Sequence, residues 1–327
     1  MAVKNLIDGV REAMHEEMAR DPRVVLLGED VGIRGGVFRA SEGLVGEFGE
    51  ARVIDAPLGE SGIAGVAIGM ALNGLRPIAE MQFADFIHPA FNQIVSEAAK
   101  IRYRSNNDFH VPMVIRAPFG GGVHGALYHS QSVEAFFMHV PGLKIVVPST
   151  PADAKGLLKS AIRDEDPVMY FEHKRTYRLV RGEIPDGDFT VPIGKARTVR
   201  EGKDLSIFAY GLMAVFAEQA ALELEKEGVS AEVIDLRTLL PLDREAILSS
   251  IGKTHRGLVV YEANRTMGAG AEVAALIAEE ALFELDAPVR RLAGPDLPAM
   301  PFNTVQEEHF MPNPEKIVHA ARELLAS

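Results

Sequence analysis

The sequence predicts an α/β fold built as two doubly wound domains, and three observations predict it. The 327 residues exceed one ordinary core and suit two domains of roughly 100–200 residues each. Short β-branched runs alternate with helical patterns, which calls for mostly parallel sheets covered on both faces. Between Glu183 and Gly202 the alternation breaks into prolines, glycines and charges, as it does at a domain boundary. Residues 1–186 form the predicted first domain, 187–202 the linker and 203–327 the second domain.

Element by element, Met1–Arg20 predicts a helix with Leu6, Ile7, Val10, Met14 and Met18 on one face. Strands are predicted at Val24–Leu27, Arg52–Asp55, Arg76–Met81, Met113–Arg116, Lys144–Val147 and Val168–Phe171. Helices are predicted at Glu60–Leu72, Pro89–Tyr103 and Pro151–Arg163, the last opened by a first-turn proline after Thr150. Beyond the break, strands at Leu205–Tyr210, Ala231–Leu236, Gly257–Glu262 and Val289–Leu292 alternate with helices at Ala214–Glu227, Asp243–Ile251 and Gly270–Phe283. Helix Pro314–Leu325 closes the chain. No internal repeat interrupts this order.

Composition removes several function classes. With 47% hydrophobic and 24% charged residues the chain is an ordinary globular protein. A net charge of −12 gives no positive footprint for nucleic acid or an anionic membrane. Short basic clusters such as Arg102-Tyr103-Arg104 read as solvated or ion-paired surface. The absence of cysteine excludes disulfides, thiolate metal sites and a cysteine nucleophile. The N-terminus does not read as a signal peptide, and the longest apolar stretch, about ten glycine-rich residues near Ile63–Leu72, is short of a bilayer span. A soluble, cytoplasmic protein is expected.

Four motifs carry candidate chemistry. Gly120–Gly125 formally satisfies a dinucleotide fingerprint, but no acidic residue ends the next strand, where the ribose contact belongs. In Pro57–Gly62, Glu60 opens a helix directly after a strand. There it either complements the helix dipole or stands at the ligand-binding edge of a parallel sheet. The apolar run Ile63–Gly69 predicts a desolvated carboxyl, whose raised pKa favours proton sharing with a ligand nitrogen. The aromatic pair of Gln82–Phe86 follows another strand and is compatible with plain core. The loop His124–Ser132 offers two histidines, and without an acidic or sulfur ligand at suitable spacing it reads as substrate-facing rather than metal-binding.

Taken in order, Gly28–Val31, Gly35–Arg39, Pro57–Gly62, Glu80–Phe86, Ile101–Ser105, His124–Ser132 and Glu232–Leu239 resemble the beta subunits of thiamine-diphosphate-dependent 2-oxoacid dehydrogenases, relatives of transketolase. The resemblance runs nearly end to end. It implies a transketolase-like pyrimidine-binding domain followed by a transketolase C-terminal-like domain. It implies that Glu60 hydrogen-bonds N1′ of the cofactor's aminopyrimidine, so that the exocyclic nitrogen can take the proton from thiazolium C2. By the same resemblance Phe86 stacks on the pyrimidine with Leu58 and Gln82 nearby, and His129 assists acyl transfer to lipoamide. Relatives that bind the diphosphate within one chain carry Gly-Asp-Gly to help hold Mg²⁺, and this sequence has none. An alpha subunit is therefore expected to supply that half of the site in an α₂β₂ tetramer. The resemblance further implies a structural potassium ion near Met113, Ala161, Ile162, Asp164 and Asp166, and a dihydrolipoyl acyltransferase core as partner.

For the substrate, Phe83–Phe86 and His124–Ser132 resemble the branched-chain (2-oxoisovalerate) members, whereas Pro118–His124 and Ile162–Pro167 occur in pyruvate-type relatives too. Branched-chain is the preferred reading, then pyruvate, then acetoin. Two other classes stand beside it: a noncatalytic scaffold of the same fold, and a nicotinamide dehydrogenase suggested by the glycine run.

Overall fold

The computed structural model describes residues 2–327, so Met1, the first residue of the predicted N-terminal helix, lies outside them. The chain forms two compact units, Met1–Phe119 with Phe136–Ile193, and Gly120–Ala135 with Gly194–Ser327. The glycine-rich segment after Phe119 thus belongs with the second unit, which no composition break in the sequence signals.

In the first unit, strand β1 (Ala2–Asn5) precedes helix α1 (Leu6–Arg20), so the predicted helix starts five residues late. The Asn5 amide donates to the Asp8 carboxylate at 3.0 Å, a first-turn contact that favours helix initiation there. β1 pairs antiparallel with β8 (Arg181–Ile184). Leu6, Ile7, Val10, Met14 and Met18 are all buried, clustered with Leu157, Leu158, Ala161 and Ile162 of α3 (Pro151–Arg163). The helices cross closely at Gly9, where a Cβ would lie 2.4 Å from the Pro151 carbonyl oxygen.

Six parallel strands make the main sheet of this unit: β2 (Val24–Gly28), β3 (Val53–Asp55), β4 (Arg76–Glu80), β5 (Val114–Phe119), β6 (Lys144–Val146) and β7 (Val168–His173). Their order is β3-β2-β4-β5-β7-β6. Helix α2 (Glu60–Leu72) links β3 to β4. Since β3 and β4 flank β2 on opposite sides, β2 marks a switch in the direction of winding, where open α/β sheets take ligands. The helix predicted over Pro89–Tyr103 is not one element. A 3-10 segment (Ala84–Ala90), a π segment (Gln93–Ala98) and a short turn (Ile101–Arg104) replace it, because Pro89 cannot donate within a regular helix.

The second unit has a five-stranded sheet of β9 (Arg197–Arg200), β10 (Leu205–Ala209), β11 (Ala231–Asp235), β12 (Gly257–Asn264) and β13 (Arg290–Gly294), in the order β13-β12-β10-β11-β9. All pairings are parallel except that of edge strand β9 with β11. β9 lies inside the predicted linker, where Arg197, Val199 and Arg200 are half-buried, Thr198 is exposed and the run gives little apolar signal. Helices α4 (Leu212–Glu225), α5 (Arg244–Thr254), α6 (Ala269–Glu280), α7 (Thr304–Phe310) and α8 (Pro314–Leu325) complete the unit. α7 was not predicted; its cap is Asn303, whose side chain accepts from the Val305 amide at 3.0 Å. Among the described residues no helix is long and apolar enough to cross a membrane.

Candidate active site

Three neighbouring strands of the first unit deliver Glu60, Leu58, Gln82 and Phe86 to one sheet edge. In the register of the sheet Gly28 stands opposite both Asp55 and Glu80, so β2, β3 and β4 end level. Their continuations are Glu29-Asp30, Pro57–Glu60 and Gln82–Phe86. Glu60 is half-buried at the first turn of α2, and Leu58 beside it is 86% exposed. The Gly59 amide donates to Glu29 Oε1 at 3.2 Å. Burial holds the Glu29 carboxyl above its ordinary range; the Gly59 N–H opposes this, and the charges of Glu60 and Asp30 reinforce it.

α2 is not the desolvating wall expected for Glu60. Ile63, Ala64, Ala67, Ile68 and Ala71 turn into the core, whereas Gly62, Gly65 and Val66 face outward, Val66 being 54% exposed. A Cβ added at Gly59 or Gly62 would meet nothing within 4 Å. The helix is apolar on every side, a pattern that belongs to buried helices. Its open glycine face next to exposed Leu58 suits a flat aromatic ring, so the residues present fit the pyrimidine end of the cofactor.

Gln82 and Phe86 hold their place through neighbours. Gln82 Nε2 donates to Asp30 Oδ2 at 3.4 Å. Phe86 packs edge-to-face on Phe83 with ring centres 5.5 Å apart, Phe83 on Phe38 at 5.4 Å, and Phe38 against Tyr177 at 5.2 Å. Phe83 is thus an anchor for Phe86. Behind the site, fully buried Arg116 donates to Glu172 at 2.6 and 2.7 Å and to Glu80, and the Tyr177 hydroxyl donates to Glu172. A Cβ on Gly36, whose φ is +76°, would lie 2.8 Å from Glu80 Oε1, so the Gly35–Arg39 motif folds onto this buried charge cluster.

His129 belongs to the second unit and is half-buried at the end of a short turn (Ala126–Tyr128). Its amide approaches the Ala126 carbonyl at 3.4 Å. The loop closes on itself where the Gly120 amide donates to the Gln131 carbonyl at 3.1 Å and Gln131 Nε2 to the Leu127 carbonyl at 3.0 Å. The other candidate histidine, His124, pairs through Nδ1 with Glu307 Oε2 at 2.6 Å. Among the described residues no cluster of three or more His, Cys, Asp or Glu side chains could hold a metal ion.

The residues assigned to potassium meet around one turn of the first unit. The Met113 carbonyl accepts from the Val168 amide at 3.0 Å and the Ala161 carbonyl from Asp164 at 3.3 Å. Arg76 Nη1 donates to the carbonyls of Ile162 and Asp164 at 2.9 and 3.0 Å. Lys144 binds the Asp164 carboxylate at 2.7 Å, and Arg102 that of Asp166 at 2.7 Å. Three cationic side chains therefore balance this electronegative turn. Each carbonyl keeps a second lone pair.

Sequence reasoning quoted Glu29, Glu80 and Phe83 only as parts of motifs, and missed Arg116, Tyr177 and Glu307 altogether. Charged residues inside or directly after predicted strands, Arg116 and Glu172, were the available signal.

Comparison with known proteins gives consistent matches. Residues 4–180 match the transketolase pyrimidine-binding domain and residues 194–317 the transketolase C-terminal domain. The chain is 63% identical, over 99% of both chains, to 2-oxoisovalerate dehydrogenase subunit beta of Bacillus subtilis. It is 48% identical to pyruvate dehydrogenase E1 component subunit beta of the same organism, again over 99% of both. The mitochondrial 2-oxoisovalerate dehydrogenase subunit beta 2 of Arabidopsis thaliana is 49% identical over 97% of this chain and 88% of its own. A solved structure described as a split-gene transketolase, inactive beta4 tetramer, superposes with a TM-score of 0.80 at 25% identity, covering 98% of each chain.

Proposed function

This chain belongs to the transketolase-like family of 2-oxoacid dehydrogenase beta subunits, and on that footing we propose that it serves a branched-chain enzyme that decarboxylates 2-oxoisovalerate and passes the acyl group to lipoamide. The 63% identity to the Bacillus 2-oxoisovalerate subunit, against 48% to its pyruvate counterpart, carries the choice of substrate. Pyruvate is the reading it displaces.

Thiamine diphosphate, when bound, accepts the electron pair left as carbon dioxide departs. Glu60 holds a proton at N1′ of the aminopyrimidine. Leu58 and Phe86 cover the ring and exclude water from it, with Phe83 fixing the angle of Phe86, and Gln82 orients the site through Asp30. His129 supplies a proton to the departing sulfur of the lipoyl dithiolane, a task suited to an imidazole that changes charge near neutral pH.

The diphosphate and its Mg²⁺ are held by an alpha subunit in an α₂β₂ assembly. The missing Gly-Asp-Gly and the outward apolar face of α2 support this, since both leave a half-site waiting for another chain. Met113, Ala161, Ile162, Asp164 and Asp166 would hold a potassium ion at their turn. The assembly works in the cytoplasm and docks on a lipoyl-bearing acyltransferase core.

The test is turnover after co-expression with a candidate alpha subunit. At least tenfold higher kcat/KM for 2-oxoisovalerate than for pyruvate is expected, and Glu60→Gln should abolish both. Preference for pyruvate overturns the substrate, and retained activity in Glu60→Gln overturns the role of Glu60.

A further inference from the structure

Two buried carboxylates of the second unit grip the loop that carries His129. Glu262, on β12, is 3% exposed, and Glu307, on α7, is 2% exposed. Glu262 Oε1 accepts from the Gly121 amide at 2.7 Å and from Ser132 Oγ at 3.1 Å, joining both ends of the loop. Glu307 Oε1 accepts from the Gly122 amide at 2.8 Å while its Oε2 lies 2.6 Å from His124 Nδ1. Charge-assisted bonds of this kind are about twice as strong as neutral ones.

The loop they grip is strained. His124 and Ala126 have φ of +54° and +56°, a left-handed geometry that costs a non-glycine residue roughly 1–2 kcal/mol each. Strain of that size persists only where the surroundings over-determine it. Between them, Gly125 lies so close to His129 that an added Cβ would stand 2.7 Å from the His129 carbonyl oxygen and 2.8 Å from its Cβ. A displacement at His124 or Gly125 is thus passed directly to His129. Leu127 and Tyr128, the residues between, are exposed, so the loop depends on its anchored ends.

We propose that Glu262 and Glu307 are positioning residues that hold the strained 120–133 loop closed, and so set His129 for the acyl-transfer step. This rests on the reading of His129 given above. Neither carboxylate touches the reacting atoms in this scheme; each acts through backbone amides and His124.

The experiment uses the enzyme reconstituted with its alpha subunit and compares two rates, acylation of a lipoylated acyltransferase domain and decarboxylation coupled to the dye dichlorophenolindophenol. Glu307→Ala is expected to lower acylation at least tenfold more than decarboxylation, and Glu307→Gln, which keeps an acceptor for Gly122, to recover most of the difference. Ser132→Ala, which removes one arm of Glu262 without stranding its charge, should give a smaller loss in the same ratio. Amide exchange in residues 120–133 should rise in Glu307→Ala while the rest of the chain is unchanged. Equal loss of both rates, or exchange raised throughout the chain, overturns the proposal in favour of general support of the fold. His129→Asn separates the two ideas. If it leaves acylation intact, the role of His129 fails and the exchange measurement alone decides the clamp. If it slows acylation but Glu307→Ala changes neither the ratio nor the local exchange, the clamp fails.

Discussion

The amide of Gly59, one residue before Glu60, donates to the carboxylate of Glu29 at 3.2 Å. A residue directly after β2 thereby fixes the backbone that presents the Glu60 carboxylate after β3. Glu29→Ala removes the acceptor and should weaken binding of magnesium thiamine diphosphate to the assembled enzyme by about 1 kcal/mol, roughly fivefold. Glu29→Gln retains an acceptor and should stay nearer wild type. Calorimetric titration of both variants checks this, and equal affinities would contradict it.

Arg116 sits fully buried between Glu80 and Glu172. Arg116→Met fills similar volume but strands both carboxylates, and removing one partner of a buried ion pair costs about 3–5 kcal/mol. A large drop in the urea midpoint is expected. A shift under about 1 kcal/mol would mean that the cluster is effectively solvated.

Burial pushes the Glu134 carboxyl up to about 7; the Tyr210 hydroxyl, donating at 2.6 Å, opposes this, and the charge of Glu262 reinforces it. The native state thus keeps a proton that the unfolded chain, with an ordinary carboxyl near 4.5, has already lost. Stability from this group is full below that ordinary value and declines as pH rises through about 7. Glu134→Gln should remove the decline, so that its urea midpoint relative to wild type improves between pH 5 and pH 8, by no more than about 3 kcal/mol. A constant difference across that range would contradict the raised carboxyl.

A Cβ at Gly9 would lie 2.4 Å from the Pro151 carbonyl oxygen, whereas one at Gly62 would meet nothing within 4 Å. Gly9→Ala should therefore lower the thermal midpoint through a backbone clash worth about 1–3 kcal/mol. Gly62→Ala should leave the fold intact and weaken assembly with the partner chain. Thermal melts and sedimentation of the two variants separate these outcomes.

Much of this fold was legible because its signals are local. α2 and α3 run from Glu60 to Leu72 and from Pro151 to Arg163, as expected, since a strand end, a capping Thr150 and a first-turn proline mark their starts. Edge strand β9 was hidden because its side chains are half-exposed and charged, so alternation carried little information. The irregular segment after Phe83 was hidden because a proline inside an apolar pattern leaves open which distortion follows. At the site, only Glu60 was marked by its place after a strand, whereas Leu58, Gln82 and Phe86 entered through the resemblance alone. The grip of Glu262 and Glu307 on the His129 loop was not, since residues about 130 and 185 positions away supply it and no local pattern marks such pairs.

Calorimetric titration of magnesium thiamine diphosphate into this chain alone, and then into the chain assembled with its alpha subunit, bears most directly on the half-site. Tight binding only in the assembly is expected. Tight binding to the chain alone would contradict it, because the phosphate site would then have to lie within these residues.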